Sequence, residues 1–290
     1  MIEALSLRRK AIGFIRVIRP VNGLMMSLAV LVGAWITLAE PVSPDMLFKV
    51  LLGALTAFTL SGASMAINDY CDYEIDKINE PHRPLPSGMI ELRESLILAA
   101  VLIMVGLAAA LYTNVYAALL ALLSIIVSVA YAFRGKRTGL LGNFLVSSCV
   151  AVPFIYGGIL VKNSLDPRIL LFSLMAFFSN TGREVAKGIV DVTGDEARGM
   201  RTIAVVHGEM AAAITASVFF LSSVLLSLIP PLAGLVSAWF VPIVAAADVG
   251  FISSSVMLLR RPTRQNARRI KNIILIWMLL GLLAFLAGKQ

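Results

Sequence analysis

Nine apolar runs, each close to the roughly 20 residues that carry a helix across a bilayer, constrain this chain more than any other feature. They lie near 21–39, 47–67, 95–112, 115–133, 143–161, 168–182, 211–229, 232–257 and 272–288. The runs are near-continuous and rich in Leu and Ala, without the alternation of a barrel strand, so helices are the spanning elements they predict. Hydrophobic residues make up 59% of the 290 positions and charged residues 14%, with a mean hydropathy of +0.88. That composition excludes an ordinary water-soluble domain. The expected fold is all-α, a polytopic membrane protein with nine transmembrane helices around a central cavity, residues 1–290 forming a single domain.

The placement of basic residues fits this count. With the N-terminus inside, 21 of the 25 Lys and Arg fall on the cytoplasmic side; Lys49, Lys162, Arg168 and Lys289 are the exceptions. This is the bias expected of a cell-membrane protein with several spans. The net charge of +8 therefore reflects topology. The basic residues are spread over five membrane-flanking segments with no soluble domain to hold nucleic acid, so nucleic acid is not an expected partner. Residues 1–20 show no short apolar core followed by a cleavage site. They read as an amphipathic arm on the cytoplasmic surface, with Leu5, Ile12, Ile15 and Ile18 toward membrane lipid and the arginines toward headgroups. The basic stretch 260–271 reads as a topology anchor in contact with anionic lipid.

Against this apolar background the stretch NDYCDYEIDKINEPHRPLPSG, at 68–88, stands out. Asn68, Asp72 and Asp76 recur every four residues, which places them on one face of a helix over about 12 Å. Like charges at that spacing repel, so a cation is expected between them; a solvated helix end is the alternative for one such stripe taken alone. A second stripe, Arg183, Lys187, Asp191 and Asp195, recurs every four residues in GREVAKGIVDVTGDEARGMRT. Both stripes end even-numbered spans and so face the cytoplasm. Carboxylates over a basic floor are the ligand set for Mg²⁺ with phosphate, because Mg²⁺ takes one or two carboxylates and completes its shell with water and phosphate oxygens. Lys and Arg add charge-assisted bonds to the phosphates.

Other chemistries find less support. His82 and His207 lie in separate loops, so neither stripe has the nitrogen or sulfur ligands a zinc site wants. Cys71 and Cys149 are far apart and suggest neither a disulfide framework nor a metal cluster. No G-x-x-x-x-G-K-[ST] loop occurs. HRPLPSG reads as a proline-stiffened turn ending in glycine, able to hold Arg83 over the carboxylates or to be purely structural. Asp248, deep in an apolar run, reads as a packed group that lines a tunnel or pairs with Asn143 or Asn180. A secondary transporter is the rival class. Such proteins place ionisable ligands near the bilayer midplane on broken helices, whereas nearly all the acids here sit at cytoplasmic helix ends.

Together the two stripes resemble the UbiA superfamily of intramembrane prenyltransferases, whose pattern is N-x-x-x-D-x-x-x-D after the second helix and D-x-x-x-D after the sixth. The resemblance covers the whole chain, and the loop YAFRGKRTGLLGN at 131–143 is similar to the family segment joining helices 4 and 5. It implies that Mg²⁺, held by Asn68, Asp72, Asp76, Asp191 and Asp195, bridges to an allylic prenyl diphosphate whose tail lies in an apolar tunnel. Asp72, Asp191 and Lys187 are the implied catalytic groups, with Asn68, Arg83, Arg183 and Lys187 on the diphosphate. Tyr131, Lys136, Arg137 and Asn143 are the implied substrate contacts from the 4–5 loop, where Arg134 also stands as a candidate for phosphate and where topology alone already explains basic residues.

The two acidic stretches are most similar to the archaeal branch that makes digeranylgeranylglyceryl phosphate. That branch implies a geranylgeranyl diphosphate donor and a lipid-phosphate acceptor, geranylgeranylglyceryl phosphate. Branches with ring acceptors, in quinone, chlorophyll and haem synthesis, share the metal motifs and stay open as alternatives. A ring acceptor would favour aromatic side chains near the mouth, and with 8% aromatic residues only Tyr70, Tyr73 and Tyr131 stand there.

Overall fold

Small polar residues at the ends of the apolar runs set where the helices begin. In the computed structural model, which describes residues 2–39, 41–197 and 199–290 and leaves the side chains of 2–7, Ile75, Asn79 and Lys136 undescribed, Ser43 caps α3 (Pro44–Cys71). Its hydroxyl accepts from the Met46 amide at 3.2 Å, and Pro44 occupies the first turn, where its missing N–H has no helical partner to lose. Thr202 caps α9 (Ile203–Ser227) and Thr263 caps α12 (Arg264–Ala287) in the same way. The expectations for Leu5, the Lys136 side chain and Arg198 lie outside the described residues.

The described residues contain helices and no strand, as expected. Among the described residues, eight helices are long and apolar enough to cross a membrane. The remaining predicted span, 168–182, begins α8 (Pro167–Ala197), a 31-residue helix whose apolar stretch is flanked by Arg168, Arg183 and Glu184. The chain is a multi-pass membrane protein. One boundary differs from expectation: the run at 232–257 does not start a helix at 232. A short turn, α10 (Ile229–Leu232), precedes Gly234 at φ +63, and α11 runs Phe240–Arg260. Pro230 and Pro231 lack the amide hydrogens a continuous helix from α9 would need.

The chain forms two compact units. The first takes in the chain to Ala34, Leu38–Phe133 and Tyr156–Ser164. It holds α1 (Ile2–Ile18), most of α2 (Pro20–Thr37), α3, α4 (Tyr73–Asn79), α5 (Leu92–Thr113), α6 (Val115–Phe133) and the last turns of α7 (Leu140–Lys162). Its centre is α3, packed on α5 and more lightly on α6 and α1. Ala63, Ala66, Ala99, Ala110, Ala117 and Ala121 fill the contacts; small side chains let helices approach closely where lipid offers no hydrophobic drive. Hydroxyls add interhelical bonds, Thr56 to the Gly106 carbonyl at 3.2 Å and Ser95 to the Ala66 carbonyl at 3.3 Å. Large apolar residues such as Ile97, Met104, Leu119 and Ile126 remain exposed, as they must on a lipid-facing surface.

The amphipathic arm is α1, with a refinement. Ile12 and Ile15 are exposed as predicted, but Ile18 joins Phe14 and buried Val17 against the core of the first unit. The inner stripe at 14, 17 and 18 follows the helical period toward α3. Polar contacts fasten the same helix. Arg9 donates to the Ser87 carbonyl at 3.0 Å, and Lys10 pairs with Glu94 at 2.6 Å, a hydrogen bond that pushes the Lys10 pKa up.

The second unit comprises Trp35–Thr37, Arg134–Ile155 and Leu165–Gln290. Here α8 packs on α9 and α12, and α11 on α9 and α12, around Val185, Ile189, Ala212, Ala216, Phe220 and Ile274. Asp248 on α11 accepts from the Ser227 hydroxyl at 2.7 Å, while Asn180 donates to Ser147 at 3.1 Å. The partner of Asp248 is thus a hydroxyl at the end of α9 rather than Asn143 or Asn180.

Candidate active site

The first acidic stripe straddles a break. α3 ends at Cys71 and α4 begins at Tyr73, with Asp72 between them at φ −94 and ψ 2. The hydrogen-bond ladder nevertheless continues: the Asp72 amide reaches the Asn68 carbonyl at 3.0 Å and the Asp76 amide reaches the Asp72 carbonyl at 2.8 Å. The four-residue register of Asn68, Asp72 and Asp76 therefore survives. Asn68 Nδ2 donates to Asp72 Oδ2 at 3.1 Å, which turns its carbonyl oxygen into the atom it can offer a cation.

Arg83 joins this group, which is one of the two roles that HRPLPSG leaves open. The turn closes through the Ser87 amide on the Arg83 carbonyl at 3.0 Å and ends at Gly88, whose φ of +67 suits glycine. It delivers Arg83 Nη1 to Asp76 Oδ2 at 2.7 Å. Burial works against the guanidinium charge, yet the hydrogen bond to Asp76 and the carboxylates of Asp76 and Asp69 hold its pKa above the ordinary arginine value. His82 is exposed and lies 3.1 Å from Glu80, in keeping with a loop role.

Two residues of this cluster escaped the sequence reading. Asp69 is buried and bonds Arg19 Nη2 at 2.5 Å, with Arg83 Nη1 at 3.7 Å. The available signal was an acid in the last apolar turn of a span, which demands a cationic partner. Only the fold shows that the partner comes from the arm.

The second stripe lies on the C-terminal half of α8, which stays helical through Ala197, so Arg183, Lys187, Asp191 and Asp195 share one helix over about 18 Å. The expected basic floor is more constrained than predicted, because Glu184 was overlooked. Arg183 Nη1 pairs with Glu184 at 2.8 Å and its Nε donates to the Lys271 carbonyl on α12 at 3.2 Å. Lys187 Nζ also lies on Glu184, at 3.3 Å, yet its side chain is 46% exposed, so it is the more accessible of the two cations.

From Arg134 on, the 4–5 loop belongs to the second unit and is tied by backbone to the segment that follows α8. The Arg201 amide, six residues past Asp195, donates to the Arg137 carbonyl at 3.3 Å. Gly139, at φ +65, lies where a Cβ would strike the Arg201 carbonyl. Arg137 is exposed and Asn143 half-buried in the first turns of α7, while Tyr131 ends α6 in the first unit. Thus Asn68, Asp72, Asp76 and Arg83 gather in one unit, and Arg137, Asn143, Arg183, Lys187, Asp191 and Asp195 belong to the other.

The donor chemistry fits Mg²⁺. The motifs offer carboxylate and amide oxygens without imidazole or thiolate, and among the described residues no three His, Cys, Asp or Glu side chains form a closed cage.

Comparison with known proteins places the chain in a family. The model of the UbiA prenyltransferase family matches residues 26–283. The chain is 34% identical over 276 residues to the digeranylgeranylglyceryl phosphate synthase of Methanothermobacter thermautotrophicus, covering 95% of each protein. It is 35% identical over 288 residues to that of Archaeoglobus fulgidus, covering 98% of this chain and 97% of the relative. Among solved structures, one concerning digeranylgeranylglyceryl phosphate synthase in membranes superposes with a TM-score of 0.86 at 29% identity, over 97% of this chain and 98% of the other. A UbiA homolog from Archaeoglobus fulgidus bound to DMAPP and Mg²⁺ shares the fold, with a TM-score of 0.70 at 19% identity over 94% of this chain and 99% of the other. The motifs, the helical architecture and the full-length similarity lead to one conclusion: this chain belongs to the UbiA prenyltransferase family and is a membrane-embedded prenyltransferase.

Proposed function

We propose that this enzyme transfers a geranylgeranyl group from geranylgeranyl diphosphate to the hydroxyl of geranylgeranylglyceryl phosphate, forming digeranylgeranylglyceryl phosphate, diphosphate and a proton. The observation that carries the acceptor assignment is the similarity, above 30% identity and nearly end to end, to relatives that bear that enzyme's name. Asn68, Asp72 and Asp76, with Asp191 and Asp195, are the residues that would hold Mg²⁺ with the donor diphosphate. Bound there, Mg²⁺ supplies Lewis-acid stabilisation of charge on the leaving group.

The protein's own groups do the rest. Lys187 and Arg83 lie against diphosphate oxygens and take up negative charge as the allylic C–O bond breaks and its electron pair passes to diphosphate. Arg183, fixed by the Lys271 carbonyl and Glu184, orients that cationic stretch. The apolar bundle excludes water from the allylic cation, so that the acceptor oxygen captures it and forms the ether bond. Arg137, Lys136, Asn143 and Tyr131 are the proposed contacts for the acceptor phosphate and glycerol. The basic segments, and with them the N-terminus and the acidic motifs, are assigned to the cytoplasmic side.

The test offers purified protein geranylgeranyl diphosphate with geranylgeranylglyceryl phosphate and 4-hydroxybenzoate in parallel, with and without Mg²⁺, and reads products by mass spectrometry. A di-ether phosphate formed only with Mg²⁺ is expected. A prenylated aromatic acid alone would move the enzyme to quinone synthesis, and substrate flux in liposomes with no covalent product would make it a transporter.

A further inference from the structure

The first motif carries a charge that prenyl transfer, as set out above, does not use. Asp69 follows Asn68 on α3 but lies off the stripe, and it is only 3% exposed. Its Oδ1 is shared by two arginines, Arg19 Nη2 at 2.5 Å and Arg83 Nη1 at 3.7 Å. A carboxylate removed from water to this extent is costly unless it is paired, and the fold goes out of its way to pair it. Arg19, between α1 and α2, adopts φ +48, a region that residues with a Cβ seldom occupy.

Arg83 has two seats. Its Nη1 donates to Asp76 Oδ2 at 2.7 Å and stands 3.7 Å from Asp69 Oδ1, so a small swing of the guanidinium exchanges one carboxylate for the other. A divalent cation and a guanidinium compete for the same Asp76 oxygen, because each opposes the other's charge there. Resting on the reading in which Asp76 holds Mg²⁺ on the diphosphate, we propose that Asp69 is a positioning residue. It receives Arg83 when the metal takes Asp76 and keeps the guanidinium beside the motif, where it meets the diphosphate. Arg83 is then a built-in competitor of the metal, and Asp69 sets how readily it gives way. Arg19, pinned to Asp69 from the other side, holds that second seat in place.

The two variants of this pair have opposite expected effects on the metal. Without its second seat, in Asp69→Asn, Arg83 stays on Asp76 and metal binding weakens. Without the competitor, in Arg83→Gln, metal alone binds more tightly, while diphosphate binds more weakly. A merely structural role for the pair would lower thermal stability in both variants without this reversal of sign.

The experiment titrates full-length, detergent-solubilised wild type, Asp69→Asn, Arg83→Gln and the double variant with Mn²⁺ alone, counting free ion by electron paramagnetic resonance, and then with Mn²⁺ and inorganic diphosphate by calorimetry. Thermal unfolding of each protein checks that it is folded. Losing or gaining one charge-assisted contact is worth on the order of 10-fold in affinity. Asp69→Asn is therefore expected to bind Mn²⁺ about 10-fold more weakly and Arg83→Gln about 10-fold more tightly, with the double variant matching Arg83→Gln. Unchanged affinity in Asp69→Asn, or a double variant as weak as Asp69→Asn, overturns the proposal. Should Asp69→Asn fail to fold, Arg83→Gln decides alone, and unchanged or weaker Mn²⁺ binding overturns it. Wild type that binds neither Mn²⁺ nor Mn²⁺ with diphosphate would remove the metal reading itself, whereas normal wild-type binding with unshifted variants would remove only the role of Asp69.

Discussion

At the scale of single residues, the sequence exposes groups that repeat and conceals groups that pair. Asn68, Asp72 and Asp76 announce themselves by spacing, as do Arg183, Lys187, Asp191 and Asp195. Asp69 and Glu184 do not, because each breaks the period by one position and takes its meaning from partners that the fold supplies. Glu184 also separates two cations that spacing made equivalent. Arg183 is tied to a carbonyl on α12, whereas Lys187 is half-exposed with one carboxylate contact. Lys187→Ala is therefore expected to lower kcat on the order of 100-fold, as loss of a charge-stabilising donor does, with little change in thermal stability. Arg183→Ala should instead lower the melting temperature, since it leaves the Lys271 carbonyl without its donor and a partly buried Glu184 with Lys187 alone. Steady-state kinetics beside thermal unfolding separates the two, and equal kinetic effects without any stability change would contradict the distinction.

Elements were the most legible scale. The predicted spans sit on helices; the starts of α3, α9 and α12 follow from capping hydroxyls and those of α2, α3 and α8 from a proline in the first turn, and the one misplaced start, at 232, reflects Pro230, Pro231 and Gly234 hidden in an otherwise apolar run. The break at Asp72 was not legible, since nothing in the stretch from Asn68 to Asn79 is a helix breaker; it shows only in the backbone. The junction of the 4–5 loop with the segment after α8 was equally invisible, because it is made by main chain. Gly139 is its most sensitive point. Gly139→Ala would place a Cβ against the Arg201 carbonyl at a left-handed φ, a conformation that costs about 1–2 kcal/mol for a residue with a Cβ before any clash is counted. The expected result is a destabilised protein with weakened use of acceptor, seen as a raised acceptor KM with the donor KM unchanged. An unchanged melting temperature would show that the junction does not carry the loop.

For the whole molecule, composition and the bias of Lys and Arg were enough to predict a multi-pass helical membrane protein, because a bilayer permits few alternatives. Function was legible for a different reason. The proposed reaction calls for hard-oxygen ligands and cations at helix ends, and such residues are conspicuous in a chain where only 14% of positions are charged. Acceptor choice was not legible from physics, since the branches with lipid-phosphate and ring acceptors share the metal motifs. The central claim is that the aspartates of both stripes hold Mg²⁺ on the prenyl diphosphate. The most direct measurement is Mg²⁺-dependent binding of geranylgeranyl diphosphate to folded Asp72→Ala and Asp191→Ala proteins, by calorimetry in detergent. Both variants are expected to lose that binding while wild type retains it. Binding of wild-type strength in either variant would contradict the claim.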